Sequence, residues 1–365
     1  QFKQISDKNA KVLYLETSAL GQSLLTTPKL NKGSAFSELE RQQFHLRGKL
    51  PYNIEDLSQQ VLRCYQQFLK KDNNLEKHLY LRSLHDTNET LFYKLVSQHL
   101  TEMLPVLYTP TVGKAVEQFS QEFQRPRGLY IAYPDRDHIE EIIENRFNSE
   151  VDIIVMTDGA GVLGIGDQGI GGMDICIVKS MVYVLCGGVN PSRLLPIQID
   201  VGTDNEQLLN DPMYLGWRHP RISGKEYDDM VERVVLAIQR KLPQAYLHWE
   251  DFGRENARRN LERYHQQMCT FNDDMQGTGA VTLVALLSAI TRTKVPLTEQ
   301  RIVIVGAGTA GTGIADQLCA AMRREGLSQQ EALSRFYLVG RHGLLHQAMP
   351  ELTAFQKPYA RSDLA

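Results

Sequence analysis

Residues 301–311 read RIVIVGAGTAG, an apolar run followed at once by the spacing GxGxxG. Five strand-forming residues precede Gly306, Gly308 and Gly311, and an amphipathic stretch over 310–322 follows. A strand, a glycine-rich turn and a helix in this order hold the pyrophosphate of a dinucleotide, because the turn lets backbone amides approach the phosphates. The stretch therefore predicts a Rossmann-type unit, with Gly306, Gly308 and Gly311 as cofactor-binding residues.

Two pairs of carboxylates lie upstream of this fingerprint, each at the end of a short apolar run. Glu250 and Asp251 follow the run 245–249, and Asp273 and Asp274 follow 269–272. Carboxyl ends of parallel strands meet at one edge of a sheet, where four acids need a hard cation to balance them. Oxygen ligands favour Mg²⁺ or Mn²⁺ over Zn²⁺. The alternative is that each pair only begins the next helix, where acids suit the helix dipole.

The pattern along the chain predicts an α/β protein with three regions. Residues 1–127 are expected to be a helical N-terminal region, and 128–275 an α/β substrate and metal domain with a parallel sheet, because short apolar runs alternate with helical stretches there. Residues 276–365 are expected to be the dinucleotide-binding domain. The 55 residues from Gly311 to Ala365 suffice for about one of the two halves of such a domain, so it is predicted to be incomplete.

Composition excludes several kinds of partner. The net charge of −3 over 365 residues gives no basic surface for nucleic acid. No uninterrupted apolar run reaches the ~20 residues that cross a bilayer, so no membrane association is expected. Five scattered cysteines without a CxxC pair favour reduced thiols and a cytoplasmic location. The first residues show no secretory signal, although the sequence begins with Gln1 and leaves a removed leader open.

Lys179 is a candidate general base. On a helix its neighbours three and four positions away are not acidic, so no helical salt bridge accounts for it. A lysine in an apolar wall loses hydration, which lowers its pKa toward the range of a base. The alternative is that its stem packs while the ammonium reaches water.

Tyr108 precedes Thr109 and Pro110, which are expected to be the N-cap and first residue of a helix over 111–123. Its phenol would then lie near a positive helix end, although most tyrosines in such positions only pack.

The local sequence does not decide between NAD and NADP as the cofactor. Gly340 and Arg341 end the strand predicted after the fingerprint helix, where an acid that binds the ribose hydroxyls is expected. An arginine there could accept the 2′-phosphate of NADP or face solvent.

Taken together, the chain resembles the malic enzyme family over nearly its whole length. The matching motifs are LNKGSAF at 30–36, YTPTVG at 108–113, RGLYI at 127–131, GDQG at 166–169, IDVGT at 199–203, EDF at 250–252, FNDD at 271–274 and GAGTAG at 306–311. The resemblance implies oxidative decarboxylation of (S)-malate to pyruvate and CO₂, with NAD or NADP as the oxidant and Mn²⁺ or Mg²⁺. It also implies a homo-oligomer, either a dimer or a tetramer.

The resemblance also implies roles for individual residues. Glu250, Asp251 and Asp274 would ligate the metal, and Asp274 would also lie at the cofactor. Lys179 would take the hydroxyl proton of malate, Tyr108 would protonate the enol carbon, and Asp273 would support catalysis beside the metal. The metal would hold the hydroxyl and carboxylate of malate and the charge that develops as CO₂ leaves.

Three departures from the family pattern leave alternatives open. Ala160 and Gly161 stand where malic enzymes usually have glutamate and an arginine that holds a substrate carboxylate, and malolactic enzymes also have glycine there and an aspartate matching Asp174. Gly340 replaces the usual acid, and the chain is shorter than family members. Malolactic conversion of malate to lactate, and a catalytically impaired binding or regulatory homologue, are therefore the two alternatives. A glycine at 161 predicts weaker malate binding or a substitute cation, with Arg127 the first candidate.

Overall fold

The computed structural model describes residues 2–6, 12–162 and 164–363, and these form two units. The first unit consists of Gln1–Pro126 with Met181–Val189, and the second of Arg127–Ser180 with Asn190–Ala365. The predicted division at residues 127 and 275 stays a prediction.

The first unit is mostly helical, as predicted, and opens with an antiparallel hairpin that the sequence analysis missed. Its elements are β1 (Phe2–Ser6), β2 (Val12–Thr17), α1 (Gln22–Leu25), α2 (Glu38–Gln43), α3 (Leu57–Leu69), α4 (Asn74–Thr87), α5 (Glu89–Gln98), α6 (Leu100–Leu107) and α7 (Thr111–Glu117). Side-chain caps begin several helices. Asp56 and Gln59 form a reciprocal capping box on α3, and the Asn88 side chain accepts from the Leu91 amide of α5.

Helix α7 differs from its prediction at both ends. Thr111 is its first residue, so Pro110 occupies the N-cap position and Thr109 lies outside the helix. The helix ends at Glu117, not at Phe123. The Thr111 hydroxyl does not cap the helix and instead donates a hydrogen bond to the Pro105 carbonyl oxygen at 2.8 Å.

The second unit contains strands and helices in alternation. They are β3 (Leu129–Ala132), α8 (Ile139–Glu144), β4 (Ile153–Thr157), α9 (Gly172–Gly187, whose last turns belong to the first unit), β5 (Leu194–Asp200), α10 (Glu206–Asn210), α11 (Gly224–Lys241), β6 (Tyr246–Trp249), α12 (Arg254–Tyr264), β7 (Thr270–Asn272), α13 (Thr278–Thr293), β8 (Ile302–Val305), α14 (Thr309–Arg324), α15 (Gln329–Leu333), β9 (Phe336–Gly340) and β10 (Gly343–Leu344). A π-helical turn, Asp273–Gly277, joins β7 to α13.

The central sheet has five strands in the order β3-β5-β4-β6-β7, and every pair is parallel. This confirms the predicted parallel sheet. Strands β4 and β5 are buried along almost their whole length, as expected of central parallel strands. Because all five strands run the same way, the residues after β4, β6 and β7 meet at one edge, which positions the site.

Helix α9 is apolar around its whole circumference. The stretch Gly169–Gly187 is long and apolar enough to cross a membrane, and most of it is buried inside the protein, as in a core helix. Lys179 lies on this helix and is itself only 8% exposed. The five cysteines, all among the described residues, form no disulfide, and three of them are buried.

The predicted nucleotide-binding unit is a β-α-β arrangement. Strands β8 and β9 are parallel and joined through α14, and β10 pairs antiparallel with β9. Ile302 and Ile304 face a core with Leu318 and Phe336, whereas Val303 and other alternate residues of β8 are exposed.

Candidate functional site

The site is built where β6 ends. His248 and Glu250 are two residues apart on an extended backbone, so their side chains lie on the same side, and their Nε2 and Oε2 atoms are in short hydrogen-bond contact. The Glu250 amide still donates to the Met156 carbonyl at 2.9 Å, which extends pairing with β4 one residue past the strand. Glu250 is 2% exposed. A buried carboxylate in this position requires partners.

Lys179 supplies one partner from the neighbouring helix. Its Nζ lies 3.0 Å from Glu250 Oε1 and 2.7 Å from Asp273 Oδ2. The lysine is therefore not a stem whose ammonium reaches water. It joins acids from two strand ends, which the sequence could not show because they lie far along the chain.

The chain turns sharply after Glu250. Asp251 is 4% exposed and has a φ of 53°, a left-handed backbone that is uncommon for residues other than glycine. Its amide donates to Asp274 Oδ2 at 3.1 Å, so the two carboxylate pairs are joined directly. The turn lets adjacent residues Glu250 and Asp251 depart from the opposite-facing geometry of a regular strand.

The electrostatics of the cluster show an excess of negative charge. Burial would raise the pKa of Glu250, but the Lys179 ammonium and the His248 contact outweigh it and hold the pKa below its ordinary value. Burial, followed by the charges of Glu250 and Asp273, raises the pKa of Asp274 to about 7. Lys179 thus stabilises the ionised form of Glu250, whereas the ionised form of Asp274 is penalised.

This excess fits a divalent cation. Ligand atoms of His248, Glu250 and Asp273 all lie within 4.8 Å of one another. Asp274 is joined to the same cluster through Asp251. The carboxylate oxygens of this cluster suit Mg²⁺ and Mn²⁺. The group of three ligand atoms shares Glu250 with the predicted ligands and contains His248 and Asp273 in place of Asp251 and Asp274, so the predicted ligand set stays a prediction. His248 was missed from the sequence, although its position two residues before Glu250 in a strand was the available signal.

Gly161 packs directly on the strand end. Its amide donates to the Asp251 carbonyl at 3.0 Å, and a Cβ at this position would lie 2.7 Å from the Phe252 carbonyl oxygen. Real Cβ atoms do not approach backbone oxygens so closely. Glycine at this position therefore has a steric reason in this chain, and a larger side chain would have to displace the turn that carries Asp251.

A partly buried ion pair holds the loop that contains Gly161. Arg221 Nε and Nη2 donate to the two carboxylate oxygens of Asp167, both at 2.7 Å, and Nη2 also donates to the Asp158 carbonyl at 2.9 Å. The Thr203 hydroxyl donates to Asp167 as well. A bidentate guanidinium–carboxylate pair fixes direction as well as distance. The loops after β4 and β5 are thereby joined.

The fingerprint has the geometry that its glycines require. Gly306 has a φ of 111°, which favours glycine, and a Cβ on Gly311 would lie 1.8 Å from the Gly306 carbonyl oxygen. The Gln356 side chain donates to the Ala307 carbonyl at 2.7 Å and holds the turn. Helix α14 begins at Thr309, immediately after Gly308. The residues present therefore fit a bound pyrophosphate.

At the end of β9, the backbone turns into β10. A Cβ on Gly340 would lie 3.4 Å from a Leu345 methyl and 3.9 Å from Ala307, so the position faces the fingerprint turn and has ordinary space. Arg341 is exposed. The space around Gly340 would therefore admit a side chain, so steric hindrance does not explain the absence of an acid at this position.

Tyr108 belongs to the first unit, whereas Lys179 and the carboxylates belong to the second. It follows the last residue of α6 and is half-buried, and its carbonyl accepts from the Val112 amide at 2.9 Å. Its expected role as the group that protonates the enol carbon stays a prediction.

The fold and the site define an α/β dinucleotide-fold protein with a buried carboxylate–lysine centre beside its cofactor turn. Residues 85–265 match the sequence model of the malic enzyme N-terminal domain, and residues 275–365 match that of the malic enzyme NAD-binding domain. The chain belongs to the malic enzyme family.

Curated relatives agree with this assignment. The chain is 52% identical over 337 residues to the NAD-dependent malic enzyme of Aeromonas hydrophila, covering 92% of this chain and 60% of that protein. It is 49% identical over 357 residues to the NAD-dependent malic enzyme of Psychrobacter arcticus, covering 98% and 63%. The chain thus spans about three fifths of the length of these relatives. A solved malic enzyme from Entamoeba histolytica matches with 22% identity and a TM-score of 0.45, over 86% of this chain and 54% of that one.

Proposed function

We propose that this chain contains the metal and dinucleotide sites of an NAD-dependent malic enzyme, which converts (S)-malate to pyruvate and CO₂. The observation that carries the proposal is Lys179, buried between Glu250 and Asp273 at the carboxyl ends of parallel strands. This contact supports the proposal because it joins the lysine proposed as the general base to carboxylates that suit a divalent cation. The fingerprint turn of the same unit supplies the place for a hydride acceptor.

Glu250, Asp251 and Asp274 are proposed to hold Mn²⁺ or Mg²⁺. A divalent cation bound there supplies positive charge for the hydroxyl and carboxylate oxygens of malate. The raised pKa of Asp274 supports this role, because burial and neighbouring carboxylates penalise its ionised form until positive charge is added. Asp274 is also proposed to lie near the cofactor.

Lys179 is proposed to take the hydroxyl proton of malate. Its two partners differ in exposure, since the Glu250 side chain is 3% exposed and that of Asp273 is 35% exposed. Asp273 Oδ2, 2.7 Å from Nζ, is therefore the group through which a proton held on Lys179 can reach solvent. Tyr108 is proposed to protonate the carbon that loses CO₂.

NAD is the proposed cofactor, because the closely matching bacterial relatives are named NAD-dependent malic enzymes. The same names do not favour malolactic conversion or an impaired homologue. We also propose a cytoplasmic homo-oligomer with the region boundaries given by the sequence analysis.

Product analysis tests the function. Purified protein with Mn²⁺, malate and NAD should form pyruvate and NADH in equal amounts. Lactate without accumulated NADH would replace the proposal with malolactic conversion. No turnover of malate with NAD or with NADP would support a binding or regulatory role.

Two variants test the residue roles. Asp274→Ala should weaken Mn²⁺ binding measured by calorimetry, since a hard cation depends on charged oxygen ligands. Asp229→Ala, which removes an exposed acid paired with Lys225, is the matched control and should leave the affinity for Mn²⁺ unchanged.

The role of Lys179 is tested by kinetics. Lys179→Ala should lower kcat far more than it weakens malate binding. Equal Mn²⁺ binding by the Asp274 variant, or full activity without Lys179, would refute the respective assignment.

A further inference from the structure

Arg254 is the first residue of α12 and lies beside the fingerprint turn. Its Nε, Cζ and Nη2 atoms are 3.6, 3.8 and 3.9 Å from the position that a Cβ on Gly308 would occupy. The guanidinium therefore lies alongside the backbone of Gly308. These are van der Waals distances, so the guanidinium packs directly on this side of the turn.

The other arginines of α12 are used differently. Arg258 pairs with Asp316 of α14, Arg259 with Asp228 and Arg263 with Glu232. Within the described part of the chain, Arg254 has no carboxylate within ion-pair distance. An arginine on the same helix face as Arg258, one turn earlier, thus presents its charge at the turn with no acid to balance it.

The turn and the start of α12 are also joined through the backbone. The Thr309 hydroxyl donates to the Arg254 carbonyl at 3.1 Å, and Arg258 bridges α12 to Asp316 one turn further along. These two links hold α12 against α14 and fix the backbone of Arg254 next to the fingerprint turn, while its side chain is exposed. The fold therefore brings the start of α12, which carries Arg254, to the fingerprint turn.

We propose that Arg254 binds the pyrophosphate of the nicotinamide dinucleotide. Backbone amides at a glycine-rich turn offer hydrogen bonds but only partial charge, and a guanidinium adds a full charge in a forked geometry that matches phosphate oxygens. The inference rests on the proposed dinucleotide binding, and it assigns a residue outside the GxGxxG motif to it.

The test is the binding of ADP-ribose and of adenosine to the full chain, measured by calorimetry. Arg254→Gln should weaken ADP-ribose binding about tenfold, the effect of losing one charge-assisted contact, and should leave adenosine binding unchanged. Arg254→Glu should weaken ADP-ribose binding further. Arg259→Gln, which removes an arginine of the same helix that pairs with Asp228, is the matched control and should bind both ligands like the parent.

The possible results separate this inference from the proposed function. Unchanged ADP-ribose binding by Arg254→Gln, while the parent binds it, would overturn the role of Arg254 alone. An equal loss for adenosine would show that the residue only supports the fold. A loss of malate affinity without a loss of ADP-ribose affinity would assign the guanidinium to the substrate instead. A parent protein that fails to bind ADP-ribose would overturn the dinucleotide proposal and this inference with it.

Discussion

The ion pair between Arg221 and Asp167 offers a quantitative test of how the site is supported. Their side chains are 11% and 17% exposed, and the pair is bidentate. Arg221→Met removes one partner and leaves the partly buried Asp167 carboxylate without its cation. Breaking such a pair costs about 3–5 kcal/mol, because the remaining charge stays desolvated.

This cost corresponds to a large change in melting temperature. At about 2–4 °C for each kcal/mol in a unit of this size, Arg221→Met should lower Tm by roughly 6–20 °C in scanning calorimetry. Arg233→Met is the control, because Arg233 and Asp137 are 52% and 69% exposed and such surface pairs contribute about 1 kcal/mol or less. Adding Asp167→Asn to Arg221→Met should restore part of the loss by removing the unpaired charge.

The pair also predicts a pH dependence. Burial would raise the pKa of Asp167, but the Arg221 guanidinium and the Asp204 and Gly169 amides hold it below its ordinary 3.8. A depressed carboxyl pKa stabilises the fold above the unfolded pKa, and this contribution is lost as pH falls through the folded pKa. The difference in melting temperature between the parent and Arg221→Met should therefore shrink as the pH falls through the folded-state pKa of Asp167. Equal melting temperatures of parent and variant at neutral pH would refute the reasoning.

Three further substitutions have defined outcomes. Gly161→Ala should weaken Mn²⁺ binding in a calorimetric titration, because its Cβ would lie 2.7 Å from the Phe252 carbonyl oxygen and displace the Asp251 turn; an unchanged affinity would contradict this. Gly113→Ala, in α7 with open space around it, should instead raise the free energy of unfolding by about 0.5–1 kcal/mol in urea and leave Mn²⁺ binding alone. Asp56→Ala should lower that free energy by about 1 kcal/mol through loss of the α3 cap, and equal urea midpoints would exclude a capping role.

Local patterns predicted much of the fold. The short apolar runs in 128–275 include residues 151–156 and 195–201. They correspond to the buried strands β4 and β5 within one or two residues, because continuous apolar runs are typical of central parallel strands. The fingerprint became strand, turn and helix because Gly306 allows the positive φ of the turn and Gly311 allows helix α14 to approach it closely. The hairpin β1–β2 was missed, since its strands mix charged and apolar residues without a clear alternation.

The candidate site was predictable only in part. The carboxylates could be chosen because each pair follows an apolar run, but the partners of Lys179 could not, since Asp273 lies 94 residues away along the chain. His248 could have been found from its two-residue spacing to Glu250. The close approach of Gly161 to Phe252 could not be predicted from the sequence, because local sequence patterns do not give the distance between two loops.

The segment from His248 to Arg254 combines the two chemistries of the proposed enzyme. Within seven residues it carries the strand end with Glu250, the left-handed turn at Asp251 and the arginine beside Gly308. A movement of this turn would therefore displace both the carboxylates proposed for the metal and the guanidinium proposed for the pyrophosphate. Because Gly161 packs on the same turn, its lack of a side chain is a condition for both sites and not only for substrate binding.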